Sequence, residues 1–178
     1  MKSLLICGYK DYELAIFKSS DPRITVIKKD IKKHLLKFID EGLEWLIFSG
    51  NKGFEFWAYE VANELKGDYN LQLAVIFNFK THGENWNEEG KMIISEYLKA
   101  DFVQYAYDKY ENPGQFKEYN RFLLNHTDGC FYFYDQEHET NFKYLLKMVQ
   151  EKEDYESFGI DFEELEEFSR ELNDDYSS

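Results

Sequence analysis

A glycine-bearing turn near residue 50 is the segment of this sequence best suited to bind a phosphate. Gly50, Asn51, Lys52 and Gly53 follow a short apolar run and precede an amphipathic stretch. Glycines at a turn from a strand into a helix let backbone amides approach an anion at the positive end of the helix. Lys52 would add a point charge, and Glu55, in the first helical turn, would accept a hydrogen bond from a ribose hydroxyl.

The same turn also has a purely structural interpretation. The two glycines would then only shape the turn, and Glu55 would only complement the helix dipole. The segment matches neither the Walker A pattern nor the Gly-x-Gly-x-x-Gly fingerprint. Its spacing therefore leaves both interpretations open.

A second candidate loop, Gly8, Tyr9 and Lys10, follows the first apolar run at residues 4–7. In an open parallel sheet, ligands bind outside the carboxyl ends of the strands, where the strand order reverses. We therefore expect this loop and the Gly50 turn to form two walls of one pocket.

Three further side chains are candidates for the same pocket. Trp57 lies four residues after Gly53 and would face either the pocket or the core. Trp86, flanked by two asparagines, would stack on a base or anchor its own loop. Arg121 would reach a phosphate or stay solvated.

The sequence predicts no metal site and no catalytic triad. The four histidines fall in separate predicted elements, with no cysteine or carboxylate at ligand spacing beyond a weak His82-x-Glu84, so zinc catalysis is disfavoured. Cys7 and Cys130 lie in apolar runs and are expected to be reduced, buried thiols. Neither a Gly-x-Ser-x-Gly elbow nor a Cys–His pair is apparent.

The elements that must position these residues alternate in a regular order. Short apolar runs are separated by longer amphipathic stretches, which is typical of βαβ units and a parallel sheet. The predicted strands are residues 4–7, 43–48, 71–79, 102–105 and 129–134, and the predicted helices are residues 24–39, 54–65, 88–98, 115–125 and 141–151. Asp21 and Pro22 provide the start signal of the first helix.

Charge is distributed unevenly along the chain. The net charge of the 178 residues is -14, but residues 151–178 carry twelve acids against two bases, which leaves -4 for residues 1–150. We therefore divide the chain into a nucleotide-binding domain, 1–152, and an acidic C-terminal amphipathic helix or tail, 153–178. That tail would pack on its own domain or dock a basic protein partner.

Composition also excludes several classes of protein. An acidic chain is a poor binder of extended nucleic acid. The longest apolar run, residues 71–79, is too short to span a membrane, and we expect a cytoplasmic protein. Aromatic residues make up 19% of the sequence, which excludes disorder for the body of the chain. Exposed rings on one helix face would be compatible with a homodimer.

These motifs resemble the YpsA family of Gram-positive bacteria. The resemblance runs from the first strand to about Lys152 and rests on residues 7–10, 12–14, 49–57, 120–121 and 128–129. The family shares a superfamily with the DNA-processing protein DprA and the cytokinin-activating LOG enzymes. The resemblance implies a Rossmann-like sheet. Together with the five predicted strands and the helices between them, it leads us to expect a three-layer α/β/α fold with a mostly parallel five-stranded sheet.

The resemblance also implies a pocket for a nucleotide or nucleotide derivative related to NAD or ADP-ribose. Gly8, Gly50, Gly53 and Glu55 would line it, with Trp57 nearby. Members of the family are associated with cell division, which implies a protein partner there, and their biochemical activity is not established.

Two departures from related proteins limit the transfer of activity. LOG enzymes carry Pro-Gly-Gly-x-Gly-Thr-x-x-Glu, whereas this chain has only Gly50-x-x-Gly53-x-Glu55, so phosphoribohydrolase activity is not expected. DprA binds single-stranded DNA, but the lysines between residues 28 and 37 are typical of a solvated helix face.

Three functional hypotheses remain. The chain would be a sensor that binds a nucleotide derivative and signals to a protein, an enzyme that cleaves an N-glycosidic or phosphate bond with Glu55, or an interaction protein acting through its acidic tail. The sequence does not decide whether it is an enzyme.

Overall fold

The computed structural model describes residues 1–177, which form six parallel strands and six α-helices. The strands are β1 (Ser3–Gly8), β2 (Trp45–Phe48), β3 (Gln72–Phe79), β4 (Phe102–Tyr107), β5 (Gly129–Phe133) and β6 (Glu156–Ile160). The helices are α1 (Pro22–Asp40), α2 (Phe54–Leu65), α3 (Glu88–Tyr97), α4 (Gly114–Asn125), α5 (Phe142–Glu151) and α6 (Phe162–Ser177). A short 3-10 helix, Asp11–Leu14, follows β1.

The strands form a single sheet in the order β4-β3-β2-β1-β5-β6, and every neighbouring pair is parallel. The chain therefore adds β2, β3 and β4 on one side of β1, then returns to add β5 and β6 on the other. The strand order reverses at β1, where a ligand crevice is expected in such a sheet.

The expectation of five strands is wrong, because β6 extends the sheet beyond β5. Its register runs from Gly129 opposite Glu156 to Phe133 opposite Ile160. The β6 sequence has few apolar residues and lies in the acidic segment, so it lacks the continuous apolar run of a central strand. Strand β6 lies at the edge of the sheet. It packs on the main core through Phe158 and Ile160.

Helices cover both faces of the sheet. Leu4 and Ile6 of β1 belong to the core beneath α1, α2 and α6, whereas Leu5 and Cys7 belong to the core beneath α4 and α5. Alternation along a strand produces this division, because successive side chains point to opposite faces. The result is the expected α/β/α layering.

The first helix begins where its sequence signal predicts. Asp21 is the N-cap, and its carboxylate accepts a hydrogen bond from the Arg23 amide at 2.9 Å. Pro22 occupies the first helical position, where its missing amide hydrogen costs nothing. The apolar side of α1 then packs on the sheet and on α2.

The acidic C-terminal segment contributes β6 to the sheet and packs α6 against α1. The Lys33 ammonium of α1 lies over the Phe168 ring of α6, 5.6 Å from its centroid. Within residues 1–177, none of the helices combines the length and the apolar character that crossing a bilayer requires.

Candidate functional site

A cavity of about 800 Å³ opens at the carboxyl ends of the central strands. The loops after β1, β2 and β3 form one side of it, and α4 with the start of α5 forms the other. Its polar and charged lining residues are Lys10, Glu13, Ser49, Asn51, Lys52, Glu55, Asn78, His82, Asn120 and Asn141, and its aromatic ones are Tyr12, Phe79, Trp86, Phe116, Tyr119, Phe142 and Tyr144. This size and lining suit a ligand with both charged and aromatic groups.

Glycines bring the loops after β1 and β2 into direct contact. A Cβ on Gly53 would lie 2.5 Å from the Asp11 amide nitrogen and 2.6 Å from the Tyr9 carbonyl oxygen. Gly53 also has a φ of 85°, which disfavours any other residue. The Tyr9 carbonyl accepts a 3.0 Å hydrogen bond from the Phe54 amide at the start of α2. The loops after β1 and β2, which the sequence predicts as two walls of one pocket, are therefore joined by this hydrogen bond and by close backbone packing.

Glu55 is buried where the Gly50 turn meets the cavity, and it is 4% exposed. Its Oε1 accepts a hydrogen bond from the Ser49 amide and its Oε2 accepts one from the Ser49 hydroxyl, both at 2.7 Å. Burial raises the pKa of Glu55, although these hydrogen bonds and the nearby Lys10 oppose the shift. A buried carboxyl group whose surroundings raise its pKa is a candidate for a functional site.

The carbonyl groups of the Gly50 turn are bound by protein side chains. The Gly50 carbonyl accepts from His82 Nε2 at 2.8 Å, and the Asn51 carbonyl accepts from the Tyr97 hydroxyl at 2.6 Å. Because the C=O and N–H of one peptide point in opposite directions, the amides of Asn51 and Lys52 point away from these partners. These two hydrogen bonds thus fix the backbone of the turn.

The two amides that flank the Gly50 turn already have acceptors within the protein. The Ser49 amide donates to Glu55, and the Phe54 amide donates to Tyr9. The amides of Ser49 and Phe54 are therefore not free to bind an anion at this turn. Asn51 and Lys52 line the cavity between these two positions.

Lys52 and Trp86 close one end of the cavity together. The Lys52 ammonium lies over the Trp86 indole, 4.6 Å from the ring centroid. Trp86 also meets the His82 ring edge-on at 5.0 Å. A cation held against an aromatic face in this way keeps its charge near the cavity.

His82 is a hydrogen-bonding group in the cavity wall. Burial lowers the pKa of His82. Its Nε2 must carry the hydrogen, because its partner, the Gly50 carbonyl, can only accept. In the neutral ring, Nδ1 is then an acceptor.

The structure brings six of the eleven predicted site residues to the cavity lining: Gly8, Lys10, Asn51, Lys52, Glu55 and Trp86. Gly50 and Gly53 lie behind that lining, where they permit the close packing of the turn. A Cβ on Gly50 would fall 2.4 Å from the Phe77 ring.

Tyr9, Trp57 and Arg121 do not line the cavity. Tyr9 is fully buried. Its hydroxyl accepts a hydrogen bond from the Asp135 amide at 2.9 Å and donates one to the His138 carbonyl at 2.7 Å. Tyr9 therefore holds the loop after β5. Trp57 packs in the core beneath α1 and α2. Arg121 is exposed on α4, one residue beyond Asn120, which does line the cavity.

Sequence reasoning missed several lining residues, of which Ser49, Asn78 and His82 are the most informative. Asn78 interrupts an otherwise apolar strand just before its carboxyl end, and its buried Oδ1 has no hydrogen-bond partner among the described residues. A polar residue at that position of a buried strand was an available signal. His82 had no comparable signal, since its contact with Gly50 depends on the path of a loop.

Comparison with known proteins places this arrangement in a family. The family model described as the YspA SLOG family, YpsA, matches residues 4–165. A UPF0398 protein of Lactococcus lactis subsp. cremoris (strain MG1363) is 49% identical over 174 residues, which cover 98% of this chain and 100% of that protein. A UPF0398 protein of Streptococcus agalactiae serotype Ia is 51% identical over 172 residues, which cover 96% and 100%.

Proposed function

Because this chain belongs to the YpsA family of SLOG proteins, we propose that it binds a nucleotide or nucleotide derivative related to NAD or ADP-ribose. The binding site is the cavity at the carboxyl ends of β1, β2 and β3. The observation that carries the proposal is the buried Glu55 carboxylate, held by Ser49 beside Lys10 and Lys52 in a cavity with aromatic walls.

Each part of such a ligand has a partner in the cavity. The phosphates would meet the ammonium groups of Lys10 and Lys52 and the amides of the Gly50 turn. A ribose hydroxyl would donate to Glu55, whose oxygens keep lone pairs beyond those used by Ser49. The base would stack on Trp86 or on an aromatic ring of the α4 wall.

The proposed role is that of a sensor, in which ligand binding is passed on to a protein partner. The loop at residues 80–87 carries His82 and Trp86 and joins the cavity to α3. A ligand that contacts Lys52 and Trp86 would change the position of this loop on the surface. By the family resemblance, we propose that this partner belongs to the cell-division machinery.

Calorimetric titration of the full chain with NAD and with ADP-ribose tests the proposal. We expect saturable binding, with an increase in unfolding free energy of roughly 2.7 kcal/mol at a hundredfold excess over Kd. Lys52→Ala should weaken binding at least about tenfold, since it removes a charge-assisted contact. Lys99→Ala, an exposed lysine paired with Glu96, is the matched control and should bind normally. Absence of binding by folded protein would refute the proposal for these ligands.

The raised pKa of Glu55 favours a second candidate, an enzyme that cleaves an N-glycosidic or phosphate bond of the nucleotide. A carboxyl group that holds its proton more strongly than usual is suited to general acid catalysis. In this case Glu55→Gln should bind the nucleotide but release no product, as followed by chromatography. A pure binding protein would release no product in either form.

A further inference from the structure

Three metal-ligating side chains meet between α1 and α6, at a place separate from the cavity. Their ligand atoms, from Asp30, His34 and Glu164, all lie within 4.8 Å of one another. His34 Nε2 is 3.0 Å from Glu164 Oε2 and 3.7 Å from Asp30 Oδ1. Asp30 and His34 share a helix face because they are four residues apart. Sequence reasoning overlooked the Asp30-x-x-x-His34 spacing, and no sequence signal pointed to its partner Glu164 on α6.

Asp30 is the member of this cluster that most requires a partner. It is 2% exposed, and its Oδ2 has no hydrogen-bond partner among the described residues. Burial and then the adjacent Glu164 carboxylate raise the pKa of Asp30 to about 8. Two carboxyl groups this close, one of them buried, favour either a shared proton or a cation between them.

The surrounding residues orient the cluster without neutralising it. The His34 ring packs against Phe38 and Phe131, with centroids 6.2 and 5.0 Å away, which fixes the direction of its Nε2. Lys33 attracts both carboxyl groups, but its ammonium lies over Phe168. The Lys33 charge is thus placed beside the cluster and not within it.

We propose that Asp30, His34 and Glu164 bind a divalent transition-metal ion of the Zn²⁺ type, which fastens α6 to α1. Bonds of about 2.0–2.1 Å in a tetrahedron place neighbouring ligand atoms roughly 3.3 Å apart, and the two measured separations lie on either side of that value. Two carboxylates and one imidazole balance the charge of the ion. The side chains of His34 and Glu164 are 24% and 36% exposed, which provides an entry path and room for a solvent ligand.

This inference does not depend on nucleotide binding, because none of its three residues lines the cavity. Its test is titration of tag-free, chelator-treated full chain with Co²⁺, followed by visible absorption, and with Zn²⁺, followed by calorimetry and thermal unfolding. We expect one equivalent to bind, with the d–d bands of four-coordinate Co²⁺, and Zn²⁺ to raise Tm.

Three conservative variants, Asp30→Asn, His34→Gln and Glu164→Gln, should each weaken binding at least about tenfold and abolish the rise in Tm. The matched controls, His126→Gln and Glu166→Gln, alter exposed residues and should bind as the unmodified chain does. Far-UV circular dichroism checks folding, and Glu164→Gln decides the test if a variant of the more buried Asp30 fails to fold. Absence of a one-to-one complex, or unchanged binding in the folded variants, would overturn the proposal.

Discussion

Glu55 is the residue whose environment is best explained by ligand binding. Packing alone would favour an apolar side chain at the start of α2, since burial raises the pKa of the carboxyl group despite two hydrogen bonds from Ser49. The net effect is that the ionised form destabilises the folded chain. A destabilising charge in a cavity is typical of functional sites, where stability is sacrificed for activity.

Glu55→Gln should therefore change stability in a pH-dependent manner. The folded chain holds the Glu55 proton more strongly than the unfolded chain does, so the unmodified protein loses stability as pH rises above the ordinary value of 4.5 towards the raised pKa. Glu55→Gln has no carboxyl group at this position, so its unfolding free energy does not fall with pH for this reason. We expect similar unfolding free energies at pH 5 and a higher value for Glu55→Gln at pH 8, measured by urea denaturation.

Glu64→Gln provides the control for this measurement, because Glu64 is exposed on the same helix. It should show the pH dependence of the unmodified chain. A Glu55→Gln variant that is less stable than the unmodified chain at pH 8 would mean that the Ser49 hydrogen bonds outweigh the cost of burial.

At the scale of elements, the site depends on how closely two loops approach. The β1 loop supplies the Tyr9 carbonyl that caps α2, and the β2 loop supplies Gly53 at that contact. This contact sets the position of Glu55 and Lys52 relative to Lys10. The Gly50 turn therefore has a structural role, which is to join the carboxyl ends of β1 and β2.

Gly53→Ala should destabilise the protein by roughly 2–4 kcal/mol, since the new methyl group meets backbone atoms at 2.5–2.7 Å in a conformation that disfavours it. Gly42→Ala is the matched control. Gly42 also has a positive φ, but nothing lies within 4 Å of its added Cβ, so only the conformational cost of about 1–2 kcal/mol applies. Thermal and urea unfolding of both variants measure the difference in unfolding free energy. Equal losses in the two variants would show that the backbone of residues 9–11 does not hinder a methyl group at position 53.

At the scale of the whole molecule, the acidic segment is part of the folded unit. It supplies strand β6 to the sheet and packs α6 on α1, with Leu165 against the main core. Phe162 stacks on Tyr9 at 5.8 Å, so the segment also supports the loop that precedes the site. The negative charge of the chain is thus concentrated on one side of the sheet and not on a detached tail.

Truncation after Lys152 should accordingly prevent cooperative folding. It exposes the β5 edge and the apolar side of α1, so we expect aggregation and loss of a sharp thermal transition. Truncation after Glu171 keeps β6 and most of α6, and it should retain a cooperative transition. Soluble, cooperatively folding protein from the shorter form would show that the segment is dispensable for folding.

The sequence by itself determined the order and approximate bounds of five strands and five helices, because hydrophobic periodicity, the Asp21-Pro22 cap and the glycine turns are local signals. It also predicted Asn51, Lys52 and Glu55, which line the cavity. Tertiary structure alone decided that β6 joins the sheet, that Tyr9 and Trp57 face the core, and that His82 reaches the Gly50 carbonyl. It likewise brought His34 to Glu164 across 130 positions of sequence. Such contacts depend on how whole elements pack, which no local pattern encodes.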